Sequence, residues 1–225
     1  METSNKTARE LYEAVKANPT RRRFGFGRKP ALINVDLQNA YTKVGEFVTA
    51  YETDPKQIEY VNELARLFRA NNCPVVWTYV AYMQSGEDAG AWGTRTDTPD
   101  SLQNIKVGSR RSKIDERCEV DYERDIVINK RMASAFFETN LGSLFTFHKV
   151  DTIVVTGGPT SGCVRATVVD SLQRSFRTIV PEETTADKHE SPHFANLYDM
   201  ALKYADVIPV SEVFAYLKQY NPTGA

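Results

Sequence analysis

Thr152-Ile-Val-Val-Thr-Gly-Gly-Pro-Thr-Ser-Gly-Cys-Val-Arg165 is the stretch on which the fold turns. Thr152 to Thr156 is a short β-branched run that reads as a buried strand. Downstream, Val164, Val168, Leu172 and Phe176 recur every four residues, which suits one face of a helix. Thr178-Ile-Val180 then reads as another strand. Strand, helix and strand follow one another within thirty residues, and the same alternation extends outward in both directions. Upstream lie the strands Ala31–Asp36, Pro74–Val80 and Asp125–Asn129, with helical spacing at Ile58, Val61, Leu64 and Leu67 and a helix over about 137–148. Downstream lie a helix near 194–204, the strand Val207–Pro209 and a last helix from Ser211. Short apolar strands separated by helices predict βαβ units, hence an α/β protein with a parallel sheet and helices on both faces.

The chain has 225 residues, enough for one domain with a sizeable core. Residues 1–28 read as an N-terminal helix (about 6–17) and an arm, Arg21-Arg-Arg-Phe-Gly-Phe-Gly-Arg28, suited to a subunit contact, a solvated linker or a phosphate; residues 29–225 form the domain itself. A net charge of -1 gives no basic excess for nucleic acid or an anionic membrane. No apolar stretch approaches the roughly 18 residues that span a bilayer. The polar segment from Met1 to Pro19 lacks a signal-peptide core, so a cytoplasmic location is expected. Residues 83–120, rich in Gly, Ser, Asp and Arg, are too long for an ordinary connection and are expected to serve the site or an interface.

Ligands of parallel sheets bind at the carboxyl ends of the strands. Three chemically capable residues fall there: Asp36, Lys130 and Cys163. A cysteine at a helix start meets unpaired N–H groups and the positive end of the dipole, which lower a thiol pKa. Its alternative is a packed structural thiol, the commonest fate of a free cysteine. Asp36 suits a base desolvated by the apolar run before it, or a strand-end cap. Lys130 suits a charge partner for thiol and carboxylate, or a solvated strand end. Cys73 and Cys118 read as structural and incidental, and three scattered cysteines make no disulfide framework. His189-Glu-Ser-Pro-His193 matches a zinc-protease pattern, but Pro192 is expected to forbid the continuous helix that this pattern needs.

Taken together, Gly25–Asp36, Lys130–Phe137, Thr160-Ser-Gly-Cys-Val-Arg-Ala-Thr167 and Asn196-Leu-Tyr-Asp199 resemble the isochorismatase-like cysteine hydrolases over about Gly25 to Leu217. The Ser-Gly-Cys-Val-Arg form and the N-terminal arm look most like the N-carbamoylsarcosine amidase and biuret hydrolase branch, and maleamate amidohydrolases look similar. The resemblance implies a Rossmann-like αβα sandwich around a central parallel sheet and a homo-oligomer, dimer or tetramer. It also implies an Asp36 base, a Lys130 electrostatic partner and a Cys163 nucleophile. The implied activity is cleavage of a C–N bond in a small carbamoyl or linear amide through a covalent thioester, with release of ammonia. Two alternatives stay open: vinyl-ether hydrolysis of the isochorismatase type, and a catalytically impaired binding protein.

No cofactor and no metal are expected, since residues 37–47 lack the histidine that metal-binding nicotinamidases of the superfamily use. Lys188 stands where the carbamoyl-amidase branch looks to carry an arginine for a substrate carboxylate. Tyr82, Trp92 and Arg95 are candidates to line the pocket. Gly158, Pro159 and Thr160 mark the expected cis peptide and oxyanion site, and there the chain departs from the family pattern: proline makes a cis bond cheap but removes a backbone donor. Either the Thr160 N–H or a side-chain hydroxyl is expected to substitute, or activity on ordinary amides is expected to be weak.

Overall fold

The computed structural model describes residues 3–94 and 104–221, and Arg95 lies outside them. Six strands form one parallel sheet: β1 (Pro30–Val35), β2 (Val75–Val80), β3 (Ile126–Lys130), β4 (Thr152–Gly157), β5 (Arg177–Pro181) and β6 (Asp206–Ile208). Their order is β3-β2-β1-β4-β5-β6. The chain therefore starts in the middle, winds out to β3, returns to β4 beside β1, and winds out the other way. The direction reverses between β1 and β4, which is where such sheets open a crevice for a ligand.

Both faces of the sheet are covered, as the continuous apolar strands require. Ala31, Ile33 and Val35 of β1 and Ile153 and Val155 of β4 point to one face. They pack with Tyr12 of α1 (Ala8–Ala17), Leu141 and Phe145 of α4 (Leu141–Phe147), Val168 of α5 (Arg165–Gln173), and Leu197 and Met200 of α6 (Glu190–Lys203). The alternate residues Leu32 and Val154 point the other way, against Val61, Leu64 and Phe68 of α3 (Gln57–Ala70) and Val213 and Leu217 of α7 (Val210–Gln219). A short α2 (Asn39–Thr42) follows β1. Helix α1 starts with a capping box in which Thr7 accepts from Glu10 N and Glu10 accepts from Thr7 N.

The N-terminal helix and arm are pinned to the rest of this chain. Arg9 pairs with Glu190 at 2.6 Å, Tyr12 Oη donates to Glu182 at 2.5 Å, and Phe24 and Gly25 N–H donate to Asp206 at 3.1 and 2.8 Å. Pro192 does not break its helix, contrary to the sequence expectation. Helix α6 begins at Glu190, so the missing proline N–H falls among first-turn donors that have no intrahelical partner anyway. Cys118 sits in the core between α3 and the sheet, although its neighbours in sequence are charged. Among the described residues no helix is long and apolar enough to cross a membrane.

Candidate active site

Asp36, Lys130 and Cys163 meet at the carboxyl edge of the sheet, beside the β1–β4 crevice. Asp36 directly follows β1, buried, with a backbone φ of 53°. Its N–H donates to the Thr78 carbonyl at 3.1 Å, and Oδ1 accepts from the Thr78 hydroxyl at 2.8 Å. Lys130 is the last residue of β3, two strands away. Neighbouring strands are about 4.8 Å apart, so roughly 10 Å separates β3 from β1, a gap that a four-carbon side chain can cross over β2. Lys130 Nζ reaches Asp36 Oδ2 at 2.7 Å, Cys163 Sγ at 3.3 Å and the Met132 carbonyl at 3.0 Å. Both side chains of the ion pair are fully buried.

Cys163 lies in a single π-type turn, Thr160–Val164, that precedes α5 rather than in the first turn of the α-helix itself. Wide turns of this kind recur at functional sites. Its electrostatics differ from the sequence expectation of a lowered thiol pKa. Burial pushes the Cys163 thiol up to about 12; the Lys130 ammonium pulls the other way, and Asp36 adds to the rise. A helix start lowers a thiol pKa where the thiol is partly exposed, whereas Cys163 is only 6% exposed. Burial thus favours the neutral thiol over the thiolate at Cys163. For Lys130, burial alone would lower the pKa, but the charge of Asp36 and the sulfur outweigh it and hold the ammonium above the ordinary lysine value.

The approach to Cys163 is shaped by two glycines. Gly157 has φ +105° and sits opposite Val35, where an added Cβ would lie 1.9 Å from the Val35 carbonyl oxygen. Only glycine tolerates that approach together with that φ. At Gly158 a Cβ would come within 2.4 Å of the Tyr51 hydroxyl. The Gly158–Pro159 peptide is cis.

The backbone donors of this turn are largely committed. Residues 185–187 run alongside it: Ala186 N–H donates to the Gly157 carbonyl at 3.1 Å, and Thr160 N–H to the Ala186 carbonyl at 2.9 Å. Ser161 N–H donates to Asp187 Oδ2 at 2.7 Å, and Gly162 and Val164 N–H both donate to the Pro159 carbonyl. The Thr160 hydroxyl is 2.9 Å from His193 Nδ1. The Thr160 N–H is therefore spent elsewhere, which leaves a side-chain hydroxyl as the expected substitute for the N–H lost at Pro159.

The predicted pocket residues are scattered around this centre. Tyr82 is buried in a small cluster with Tyr41, Val80 and Ile105, and its hydroxyl donates to the Arg131 carbonyl at 2.8 Å. Burial raises its pKa to about 12, with Lys130, Cys163 and Asp36 as charged neighbours. Trp92 is half-buried in the 3-10 segment Glu87–Thr94. Lys188 is exposed, with its ammonium on the Val48 carbonyl.

Tyr41, Tyr51, Thr78 and Asp187 surround the site without having been singled out in the sequence, and His193, which the sequence marks only as part of the zinc-protease pattern, joins them. Tyr41 and Tyr51 stack with ring centroids 6.0 Å apart. Burial holds both phenols well above the ordinary tyrosine pKa, and Cys163 and Asp36 add to the rise. No spacing or motif marks either tyrosine; Tyr41 lies in α2, and the loop after α2 folds back to bring Tyr51 against it. Asp36 is a poor seat for a cation, since its carboxylate already holds an ammonium and a threonine hydroxyl.

A doubly wound parallel sheet with its polar centre at the point of reversal defines this as an α/β protein of the Rossmann-like kind. The family described as Isochorismatase domain matches residues 30–212, and the chain belongs to that family. A maleamate amidohydrolase from Pseudomonas putida is 35% identical over 216 residues, covering 94% of this chain and 96% of its own. An N-carbamoylsarcosine amidase from Arthrobacter sp. is 36% identical over 204 residues, covering 88% of this chain and 74% of its own. A cysteine hydrolase structure from Pseudomonas syringae pv. phaseolicola superimposes with a TM-score of 0.82 at 18% identity, covering 90% of this chain and all of its own, which shows the shared fold.

Proposed function

We propose that this chain is a cysteine-dependent amidohydrolase that cleaves the C–N bond of a small carbamoyl or linear amide and releases ammonia. The observation that carries the reading is the buried Lys130 ammonium holding Asp36 at 2.7 Å and Cys163 Sγ at 3.3 Å in one cluster. The two relatives named as amidases support the C–N bond as the target.

The steps follow from the geometry. Asp36 accepts the Sγ proton as the sulfur attacks the carbonyl carbon. One S–C bond forms, and the carbonyl π pair moves onto oxygen. Lys130 stabilises the charge on Asp36 and on the sulfur throughout, so that no isolated anion is created in a buried site. The tetrahedral intermediate collapses, the C–N bond breaks, and the leaving nitrogen takes the proton from Asp36 and departs as ammonia. Water then attacks the thioester carbonyl carbon with Asp36 as base, the C–S bond breaks as the acid product forms, and Asp36 returns the proton to sulfur. The chemistry needs a buried, water-poor pocket, because the same fields are far weaker in water.

Maleamate and N-carbamoylsarcosine each join an amide or carbamoyl nitrogen to a carboxylate. Lys188 is the cation we assign to such a carboxylate, reached when the ammonium leaves the Val48 carbonyl. We propose further that this chain forms a homo-oligomer of two or four copies and works in the cytoplasm.

The test is an ammonia-release screen over maleamate, N-carbamoylsarcosine, biuret and nicotinamide, with Cys163→Ser as control. Turnover of at least one carbamoyl or linear amide, lost in the control, together with a mass adduct on Cys163, is the expected result. Ammonia release that survives Cys163→Ser sinks the proposal, as does inertness across the panel.

A further inference from the structure

A carbonyl attacked by Cys163 places negative charge on its oxygen, and that charge needs donors already in place. The turn that would ordinarily supply them is nearly exhausted. Pro159 has no N–H. Gly158 N–H donates to the Val35 carbonyl at 3.0 Å, Thr160 N–H to Ala186, Ser161 N–H to Asp187, and Gly162 and Val164 N–H to Pro159. At most one backbone donor is left, that of Cys163 itself. The nearby hydroxyls are also engaged: Thr160 with His193, Thr156 with Asn34 at 2.8 Å, Thr78 with Asp36, and Tyr82 with Arg131.

The tyrosine pair Tyr41 and Tyr51 remains. Of these two, the Tyr51 Oη is fully buried and makes no hydrogen bond among the described residues. A buried hydroxyl with no partner costs about 1–3 kcal/mol, so it demands an explanation. This one lies against Gly158, at the cis peptide that leads into the cysteine turn, close enough that only a glycine fits beneath it. The ring is held in place from behind by stacking on Tyr41, and Tyr51 N–H donates to the Tyr41 carbonyl at 2.9 Å. The orphan donor and the missing donor are thus on adjoining residues.

We infer that the Tyr51 hydroxyl is the second oxyanion donor, taking the place of the backbone N–H that Pro159 lacks. It donates a hydrogen bond to the carbonyl oxygen as that oxygen becomes anionic, and keeps its proton throughout. Burial supports this, because it keeps the phenol protonated across the working pH range. The inference rests on the amidohydrolase reading above and adds a residue to it.

The experiment compares Tyr51→Phe with wild type on whichever of maleamate and N-carbamoylsarcosine the wild type hydrolyses. Alkylation of Cys163 by iodoacetamide is measured alongside, since that displacement forms no oxyanion. Loss of one such donor is expected to lower kcat by about 100- to 1000-fold. KM and the alkylation rate stay within a few-fold, and the thermal midpoint does not fall, because the hydroxyl has no partner to lose. An unchanged kcat overturns the assignment. So does a rise in KM alone, which marks a ground-state contact, or a parallel fall in alkylation, which marks a packing role. Tyr41→Phe is the comparison: a loss found there and absent from Tyr51→Phe moves the donor to Tyr41 and overturns the assignment. If wild type hydrolyses neither amide, or Cys163→Ala retains the rate, the amidohydrolase reading itself fails and this inference falls with it.

Discussion

Alkylation of the ligand-free protein by iodoacetamide as a function of pH tests the electrostatics on which the mechanism depends. Burial pushes the Cys163 thiol up to about 12 from an ordinary value of 9.0, a gap of about three pH units. At neutral pH the thiolate fraction is then about a thousandfold below that of an exposed cysteine. A thiolate of higher pKa is also the better nucleophile, with a Brønsted slope of about 0.5, which restores roughly 30-fold. The net deficit is about 30-fold in rate, before any slowing from limited access.

The slope is the sharper readout, because access does not change it. The logarithm of the Cys163 alkylation rate should rise by one per pH unit from 7 to at least 10.5, with no plateau. Peptide mapping by mass spectrometry separates Cys163 from the buried Cys73 and Cys118. Asp36→Asn removes a negative charge that holds this thiol up, so it should speed alkylation at a given pH, and it should abolish amide turnover. A plateau between pH 6 and 9 would show a thiolate paired with Lys130 at rest. Asp36 would then have no proton to accept, and the sequence of proton transfers proposed above would be refuted.

Three further outcomes follow from individual contacts. Lys130→Met leaves the Asp36 carboxylate buried without its ammonium, which should cost about 3–5 kcal/mol in urea unfolding as well as abolish turnover; a variant as stable as wild type would show that the pair is not buried as described. Gly157→Ala must place a methyl 1.9 Å from the Val35 carbonyl at φ +105°, so it should yield insoluble protein or a fall of more than about 3 kcal/mol, and a thermal midpoint near wild type would contradict the register between β1 and β4. Burial lowers the pKa of His193 below its unfolded value of 6.5, so the unfolded chain binds the proton first. Stability from this group is therefore complete above pH 6.5 and is lost as pH falls below it, by at most about 1.4 kcal/mol per pH unit; His193→Asn should remove that part of the slope, and an unchanged pH profile would count against it.

The parts of this molecule that were legible in the sequence are those set by local pattern. The βαβ alternation places six strands and the helices between them, and α3 matches its apolar spacing over Gln57–Ala70. Asp36, Lys130 and Cys163 were legible for a related reason: each ends or follows an apolar run, and a parallel sheet gathers such positions at one edge. What periodicity cannot report is the environment a residue acquires from distant segments. A helix start predicts a lowered thiol pKa at Cys163, yet burial and the neighbouring Asp36 drive it the other way. The same holds at Pro159, where the sequence shows a donor removed, but the fate of Thr160 depends on Ala186 and His193, twenty-six and thirty-three residues downstream. Tyr51 had no signal at all: it stands in a polar stretch between α2 and α3 without motif or period, and acquires meaning only from Gly158, over a hundred residues away. A loss made visible by one residue in the sequence, and a compensation visible only in the fold, are what a change confined to this turn would have to produce. Restoring a backbone donor at position 159 should therefore make Tyr51 less important to the rate, whereas the two changes should be independent if the hydroxyl serves packing alone.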